Sequence, residues 1–486
     1  MTIVPAGIHT GQNPPAGLDH RDTDMLGRLL RVWEDKRPRN VLRSVYYDGK
    51  QAFKDFGISV PDQLRDIDQT LEWPAKGVSA LVDRSNLEGF IAPGVTDDPF
   101  DIEGLLADNN FYAEFPQAAQ SAAVHACSFL SVSRGDVQSG EPDVLILPRA
   151  ADASAGLWDN RRRGMTGFLS VVDTDDVGRP TELVMYLPEK TVTLMIRGDR
   201  ILVDSRPNPL GEVSVAPLVH NPDLKRPFGK SRITRSAMYY TDAALRTITR
   251  SEVHAEAFAG PQYWILGASA KSVMGNDRYK AVMGRVFGMT ENKDTGDIPD
   301  VKRFETGSPQ PHAEHLRMWA TLFAGDQGLS VSSLGVVQDN PSSAEAIYAA
   351  KEDLIIDARK FNKSLGFGAS KAVRLAVRLR DGADVEVDDL RRLTAMFTDP
   401  SMTSPTAAAD AFVKRASAIP GFADSEVGLE SAGLTREQIA RFRADQRSST
   451  VGSFMNRISN LEPRSGRAQA AAEAGVINDD DSGQSD

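Results

Sequence analysis

The sequence predicts an α+β chain that is mainly helical, and three observations carry that prediction. Ile233 to Ala259 runs twenty-seven residues without Gly or Pro, enough for a helix of about 40 Å. A second long stretch opens at Ser342 and carries Ile347, Tyr348, Leu354, Ile355, Ala358, Phe361 and Leu365 at three-, four- and seven-residue offsets, one stripe of a helix. Between Pro142 and Pro217 the pattern changes to short β-branched and aromatic runs, DVLILP, GFLSVVD, ELVMYLP, TVTLMIR and RILVD, separated by turns. That block reads as an antiparallel meander. With 486 residues, 41% of them hydrophobic, the chain can bury a substantial core and is long enough for two or more domains.

Taken in order, a Pro- and Gly-rich leader runs to about Asp22 and Thr23 to Glu34 then reads as a helix, with Met25, Leu26, Leu29, Leu30 and Trp33 on one face. Val41 to Val45 leads into a turn at Tyr46-Tyr47-Asp48-Gly49. Pro74 to Asn86 is helix-like, Leu87 to Phe90 is a short extended exit, and Ile102 to Phe129 supplies more helix, interrupted near Pro116. After the meander and the Ile233 helix, residues 261 to 309 form a mixed insert: QYWIL is strand-like, DRYKAVMGRVFG has helical character, and ENKDTGDIPD is a polar loop. His312 to Phe323 is helical again. The long helix continues past Gly366-Phe367-Gly368, which predicts a glycine kink, to Asp381-Gly382, a span of roughly 55 to 60 Å. Asp388 to Phe397, Thr406 to Ile419 and Leu434 to Asp445 are helix-like, the last with a capping pattern at Thr435 and Gln438. The tail after about Pro463, ending NDDDSGQSD, has a disordered composition.

The most informative stretch is Gly328 to Gly366. Gly335, Val336, Val337, Gln338, Asp339 and Asn340 form a loop with no chemically reactive group, Pro341 closes it, and Ser342 with Glu345 three residues on makes a capping box for the long helix. Such a loop positions something and does not react with it.

Candidate reactive groups weigh against catalysis. Gly229-Lys230-Ser231 looks like the end of a phosphate-binding loop, but Leu224 stands where the motif needs Gly, and Pro227 and Phe228 stiffen the segment. A turn opening a helix is the stronger reading. His312 and His315 flank Glu314 without a third metal ligand. Cys127 sits among Ala122, Ala123, Val124, Phe129 and Leu130 on what reads as a helix, with His125 badly placed to act as its base, so it reads as a buried thiol. Arg161-Arg162-Arg163 lies between Asp159 and Gly164 and reads as a solvated turn. Asp173 to Gly178 lacks the spacing of a calcium loop and reads as a hairpin. The chain reads as a non-enzyme with no cofactor and no metal.

Fifty-six basic against 67 acidic side chains give a net charge of -11, which argues against tight duplex binding. Cys127 is the only cysteine, so an intrachain disulfide is excluded. No stretch approaches a membrane span, and the N-terminus lacks the pattern of a cleaved signal, so a soluble protein is expected.

The order of these parts, together with YYDGKQ at Tyr46 to Gln51, WPAKGVSALVDRSNLEGF at Trp73 to Phe90, PLVHNPDLKRPFGKSRI at Pro217 to Ile233 and SVSSLGVVQDNPSSAEAI at Ser330 to Ile347, resembles the portal proteins of tailed bacteriophages, the siphovirus-type group of actinobacterial phages. ADAFVK at Ala409 to Lys414 and Leu429 to Arg441 extend the likeness, which covers most of residues 25 to 445. The resemblance implies a portal fold: leader and wing at 1–232, stem helix at 233–259, α/β clip at 260–309, second stem helix at 310–328, tunnel loop at 329–341, a long kinked wing helix at 342–384, a helical crown at 385–462 and a disordered tail at 463–486. It implies a ring of about twelve subunits at one capsid vertex, the channel for double-stranded DNA during packaging and ejection. Gly335 to Asn340 would then face DNA that passes loosely through the lumen. Implied partners are the terminase large subunit and a head-tail adaptor at the clip, the major capsid protein around the wing, and a scaffold protein; no membrane is implied. The implied location is the virion's capsid portal vertex, with assembly in the host bacterial cytoplasm. Two other readings are another capsid-assembly or scaffold-type structural protein, suggested by helix content and the acidic tail, and a DNA-packaging or nucleic-acid-remodelling ATPase, resting only on Gly229-Lys230-Ser231 and the phage resemblance.

Overall fold

The computed structural model describes residues 17–52, 69–92, 98, 100–197, 200–258, 263–266, 296, 300–303, 307–336, 344–382, 388–401, 405–434, 438–439 and 441–447. The chain divides into two compact units, Met1–Pro400 and Ser401–Asp486.

Helix α1, His20–Tyr47, opens on Asp19, whose carboxylate accepts the Asp22 amide at 2.7 Å. It passes through Pro38 and does not end near Glu34 as the sequence suggests. Tertiary bonds on both sides of the proline offset its missing donor. Trp33 Nε1 donates to the Asp152 carbonyl at 2.7 Å, Asn40 Nδ2 to Ala151 at 3.0 Å and Arg43 to the His125 carbonyl at 2.9 Å. Its apolar face, Leu26, Leu29, Leu30 and Trp33, is buried against Leu169, Val171, Leu183, Met185 and Leu194 of a five-stranded antiparallel sheet.

That sheet is the expected meander with its membership shifted. It contains β4 (Ser154–Asp159), β5 (Gly164–Thr174), β6 (Pro180–Tyr186), β7 (Lys190–Arg197) and β8 (Arg200–Pro207), in that order. The DVLILP run belongs elsewhere: as β3 (Val144–Ala150) it joins β2 (Cys127–Arg134) and β9 (Val215–Val219) in a three-stranded sheet ordered β3-β2-β9. Cys127 is therefore on a strand, not a helix. The turn at Asp173 to Gly178 is a hairpin between β5 and β6, with Asp175 Oδ1 accepting the Val177 and Arg179 amides at 3.0 and 2.8 Å.

Helices α2 (Trp73–Val82), α3 (Ile102–Asp108) and α4 (Phe111–His125) pack on this smaller sheet. The break between α3 and α4 falls at Asn109 and Asn110, not at Pro116, which lies inside α4. Asn110 adopts φ 47°, a conformation asparagine tolerates, while Asn109 bonds to Leu105, Val144 and Ile146. Short strand β1 (Leu87–Ile91) pairs with β12 (Thr394–Phe397), so the segment expected as helix from Asp388 to Phe397 is one helical turn, α8 (Asp388–Arg391), followed by a strand.

The paired helices α5 (Arg235–Phe258) and α6 (Gln310–Gln327) lie where uninterrupted periodicity places them. Tyr240 stacks on Trp319 with centroids 6.4 Å apart, and Tyr239 meets the same indole edge-on at 6.0 Å. Within the insert, QYWIL contributes β10 (Tyr263–Leu266), antiparallel to β11 (Asp300–Arg303). DRYKAVMGRVFG lies outside the described residues, as does ENKDTGDIPD apart from Gly296 and Asp300. In the second unit α9 (Pro405–Ala418) is the Ala-rich helix, and α10 (Glu426–Ser431) is capped by Ser425 Oγ accepting from the Gly428 amide at 3.0 Å. Thr435 and the tail from 463 lie outside the described residues.

Helix α7 runs from Ala344 to Asp381 without a break, so the kink expected at Gly366 to Gly368 does not interrupt its hydrogen bonding. The glycines serve close approach instead. A Cβ on residue 368 would stand 2.3 Å from the Pro217 carbonyl oxygen of β9, whereas one on residue 366 would make ordinary contact with a Phe397 ring carbon at 3.4 Å and the Ala395 Cβ at 3.7 Å. Ser364 Oγ donates to the Val219 carbonyl at 2.6 Å, and the His220 ring stands edge-on to Phe361 at 5.2 Å. His220 Nδ1 lies 2.6 Å from the Lys230 carbonyl, which can only accept, so that nitrogen carries the proton. Burial, and then the nearby Arg232 charge, hold the imidazole down at about 4.

Gly368→Ala is expected to destabilise the first unit by roughly 1 to 3 kcal/mol, while Gly366→Ala is neutral or gains up to about 1 kcal/mol from helix propensity; denaturant midpoints of the two variants test the contrast. For His220, the folded state binds the proton less well than the unfolded chain. Its contribution is therefore fully present above about 6.5 and is lost as pH falls toward about 4. Over that window stability should drop by up to about 3 kcal/mol more in the parent than in His220→Asn, as read from unfolding midpoints against pH.

Candidate functional site

The described part of the expected loop begins at the C-terminus of α6. Gly328, at φ 61°, caps that helix, and the amides of Gly328 and Leu329 both return to the Ala324 carbonyl. A Cβ on Gly328 would lie 3.4 Å from Asp353 Cβ and from the Leu354 amide, so the chain leaves α6 in contact with α7. One turn of 3₁₀ helix, Val331–Leu334, follows and ends at Gly335, φ 80°. Val331, Leu334 and Val336 are half-buried and pack on the main core, while Gly335 is exposed. Val337, Gln338, Asp339, Asn340 and Ser342, and the side chain of Glu345, lie outside the described residues; α7 begins at Ala344, close behind the capping pattern.

What holds this root is a residue that no sequence pattern marks. Arg232 is buried just ahead of α5, its side chain 6% exposed. Its Nε donates to the Gly77 carbonyl of α2 at 2.7 Å, its Nη2 to the Gln327 carbonyl at the end of α6 at 2.5 Å, and its Nη1 stands 3.6 Å from Asp357 of α7. Gln327 answers by donating to the Arg232 carbonyl at 3.2 Å and to Asp326 at 2.7 Å, and Asp326 also accepts from Thr234 at 3.0 Å. Gly77 is small where Gln327 needs room, since a Cβ there would stand 2.9 Å from its Oε1. Desolvation pulls the Arg232 pKa down and Asp357 opposes it. In sequence the only signal was a charged residue wedged between Ser231 and the apolar start of a long helix.

The other candidates resolve into structure. Gly229 takes φ 73°, and a Cβ there would stand 2.1 Å from the His220 carbonyl oxygen; Lys230 pairs with Asp223 at 3.0 Å, and Ser231 donates to the Val124 carbonyl at 2.5 Å. These three residues are committed to a tight turn, as Leu224, Pro227 and Phe228 predict. His312 meets His254 of α5, centroids 5.2 Å apart, and burial followed by the neighbouring His254, His315 and Arg250 lowers its pKa. Among the described residues no cluster of three or more His, Cys, Asp or Glu side chains is placed to hold a metal. Cys127 is buried, which raises its thiol to about 12, so it is protonated and unreactive at neutral pH. His125 shares its ring nitrogens with Ser44 at 2.9 Å and Ser121 at 3.2 Å. Arg161, Arg162 and Arg163 are exposed on the β4–β5 turn, where Asp159 accepts the first two amides at 2.7 and 3.1 Å. Among the described residues, no helix is long and apolar enough to cross a membrane.

The geometry is thus that of a spar and a braced loop root. Two curated relatives are portal proteins. That of Mycobacterium phage D29 is 26% identical over 437 residues, 87% of this chain and 89% of that protein. That of Mycobacterium phage L5 is 26% identical over 400 residues, 79% and 80% of the two. Among solved structures, the neck of a native GTA particle computed with C12 symmetry matches 74% of this chain and 89% of its own at 14% identity and TM-score 0.40. The neck of an empty GTA particle computed with C6 symmetry matches 81% and 93% at 13% identity and TM-score 0.42. The family described as "Phage portal protein, SPP1 Gp6-like" matches residues 28–450. The chain belongs to that family of phage portal proteins, structural components of the virion.

Proposed function

We propose that the chain assembles into a closed ring of about twelve copies at one capsid vertex and forms the passage for double-stranded DNA during packaging and ejection. The family match across residues 28–450 carries this reading. On it, α1 to β9 with α7 form the wing, α5 and α6 the stem, residues 260–309 the clip, 329–341 the channel-facing loop, and residues from about 385 the crown. Physical features of the chain support it. Tyr239, Met318 and Leu322 on α5 and α6 leave 56%, 44% and 43% of their surface exposed, an apolar face suited to a neighbouring copy. Gly328 to Ser342 contains no Lys or Arg, and a passage that must let any sequence slide gains from weak phosphate contact, because counterion release would otherwise hold the duplex. The chain itself performs no catalysis on this reading. A separate terminase ATPase docks at the clip to drive DNA inward, a head-tail adaptor later takes that place, and the major capsid protein surrounds the wing.

Negative-stain images of the purified protein should show rings with an axial hole; monomers or closed shells at every concentration would overturn the reading. Deleting Val337 to Asn340, which spares the anchored Val336, should leave rings intact and reduce DNA packaging or retention by about tenfold or more, counted as filled heads. Filled heads at the parental yield would remove the loop from the DNA path.

A further inference from the structure

We propose that Arg232 is the positioning residue of the channel loop: it sets the direction in which Gly328 to Val336 leaves the stem and ties that direction to α2 and α7. The inference rests on the reading of residues 329–341 as channel-facing.

A buried arginine is a poor device for stability alone. Taking a guanidinium out of water costs several kcal/mol, and an apolar residue of similar volume is often as stable or more so. Here the paired carboxylate, Asp357, is 3.6 Å away and 46% exposed, and Asp326 adds a weaker attraction, so the Coulombic return is modest. What Arg232 has instead is a planar fork whose three nitrogens each meet a different helix. One arm fixes Gly77 of α2, the second fixes the carbonyl of Gln327, the last residue of α6, and the third points to α7. Gln327 returns a bond to the Arg232 carbonyl, so backbone and side chain are locked in both directions. The next residue is Gly328, already against Asp353 and Leu354, and beyond it Leu329, Val331, Leu334 and Val336 lie on the core. The exit angle of the loop is therefore set by the same side chain that reads the positions of α2 and α7. A tilt of the stem against the wing cannot occur without moving the Gln327 carbonyl, and the loop root moves with it.

Arg232→Lys keeps the charge and removes the fork. Full-length protein carrying it should form rings in parental number with a thermal midpoint within a few degrees of the parent. Amide exchange at Leu329 to Gly335 should rise by about tenfold relative to the amides of β2 and α4, and filled heads should fall by about fivefold or more. Unchanged exchange at Leu329 to Gly335, or filled heads within about twofold of the parent, would overturn the proposal. Should Arg232→Lys fail to assemble, Asp357→Asn, half-exposed, making the longest of the three contacts to Arg232 besides an exposed pair with Lys360 at 3.8 Å, decides on the same readouts, with about threefold effects expected and none overturning the proposal. The Val337 to Asn340 deletion separates the two ideas. Parental filled heads in the deletion remove the channel reading, whereas local exchange in Arg232→Lys still reports whether this side chain orients the root.

Discussion

Where α2, α6 and α7 converge just ahead of α5, a guanidinium is held out of water, and its need for acceptors dictates the local geometry. Losing either of its two carbonyl partners is expensive, because a buried donor left unpaired costs more than the bond itself returns. Four segments from distant parts of the sequence thus share one centre: the α2 backbone at Gly77, the approach to α5, the last carbonyl of α6 and the Asp357 carboxylate of α7. The smallness of Gly77, the reach of Gln327 and the left-handed cap at Gly328 follow from that arrangement.

The second constraint is the seating of α7 on β9. Helix and strand approach so closely at Gly368 that the strand's carbonyl fills the space of a side chain, and Ser364 and His220 complete the seam with a hydrogen bond and an aromatic contact. His220 stays neutral there because charging it would place a cation in a dry seam beside Arg232. The stretch from Pro217 to Ile233 thus seats one helix, turns tightly at Gly229 and delivers Arg232 to the loop root.

Some of this was legible in the sequence and some was not, for identifiable reasons. Helices α5, α6 and α7 announce themselves through long periodic stripes, which local propensity and packing both favour. Helix α1 outruns the apolar stripe that marks it from Thr23 to Glu34, because the bonds from Trp33, Asn40 and Arg43 that carry it past Pro38 reach partners about 80 to 120 positions away. The strand character of Cys127 to Arg134 was hidden by the alanine-rich helix before it. That of Thr394 to Phe397 was hidden because a four-residue strand has no period of its own and exists through its partner. The loop was visible as a segment without chemistry, but Arg232 was not: a single arginine gives no pattern, and its role depends on three acceptors brought together by the fold.

The pairing of β1 with β12 has a temporal consequence. Thr398 donates to Glu88 across 310 positions of sequence, and the first unit closes at Pro400 immediately afterwards. On a ribosome adding roughly 5 to 20 residues per second, β1 waits on the order of 15 to 60 s for its partner strand. The nascent first unit therefore cannot complete this contact until α5, α6 and α7 have all emerged. Vectorial synthesis makes the last short strand of the unit a latch, and a chain interrupted before it leaves β1 with an open edge.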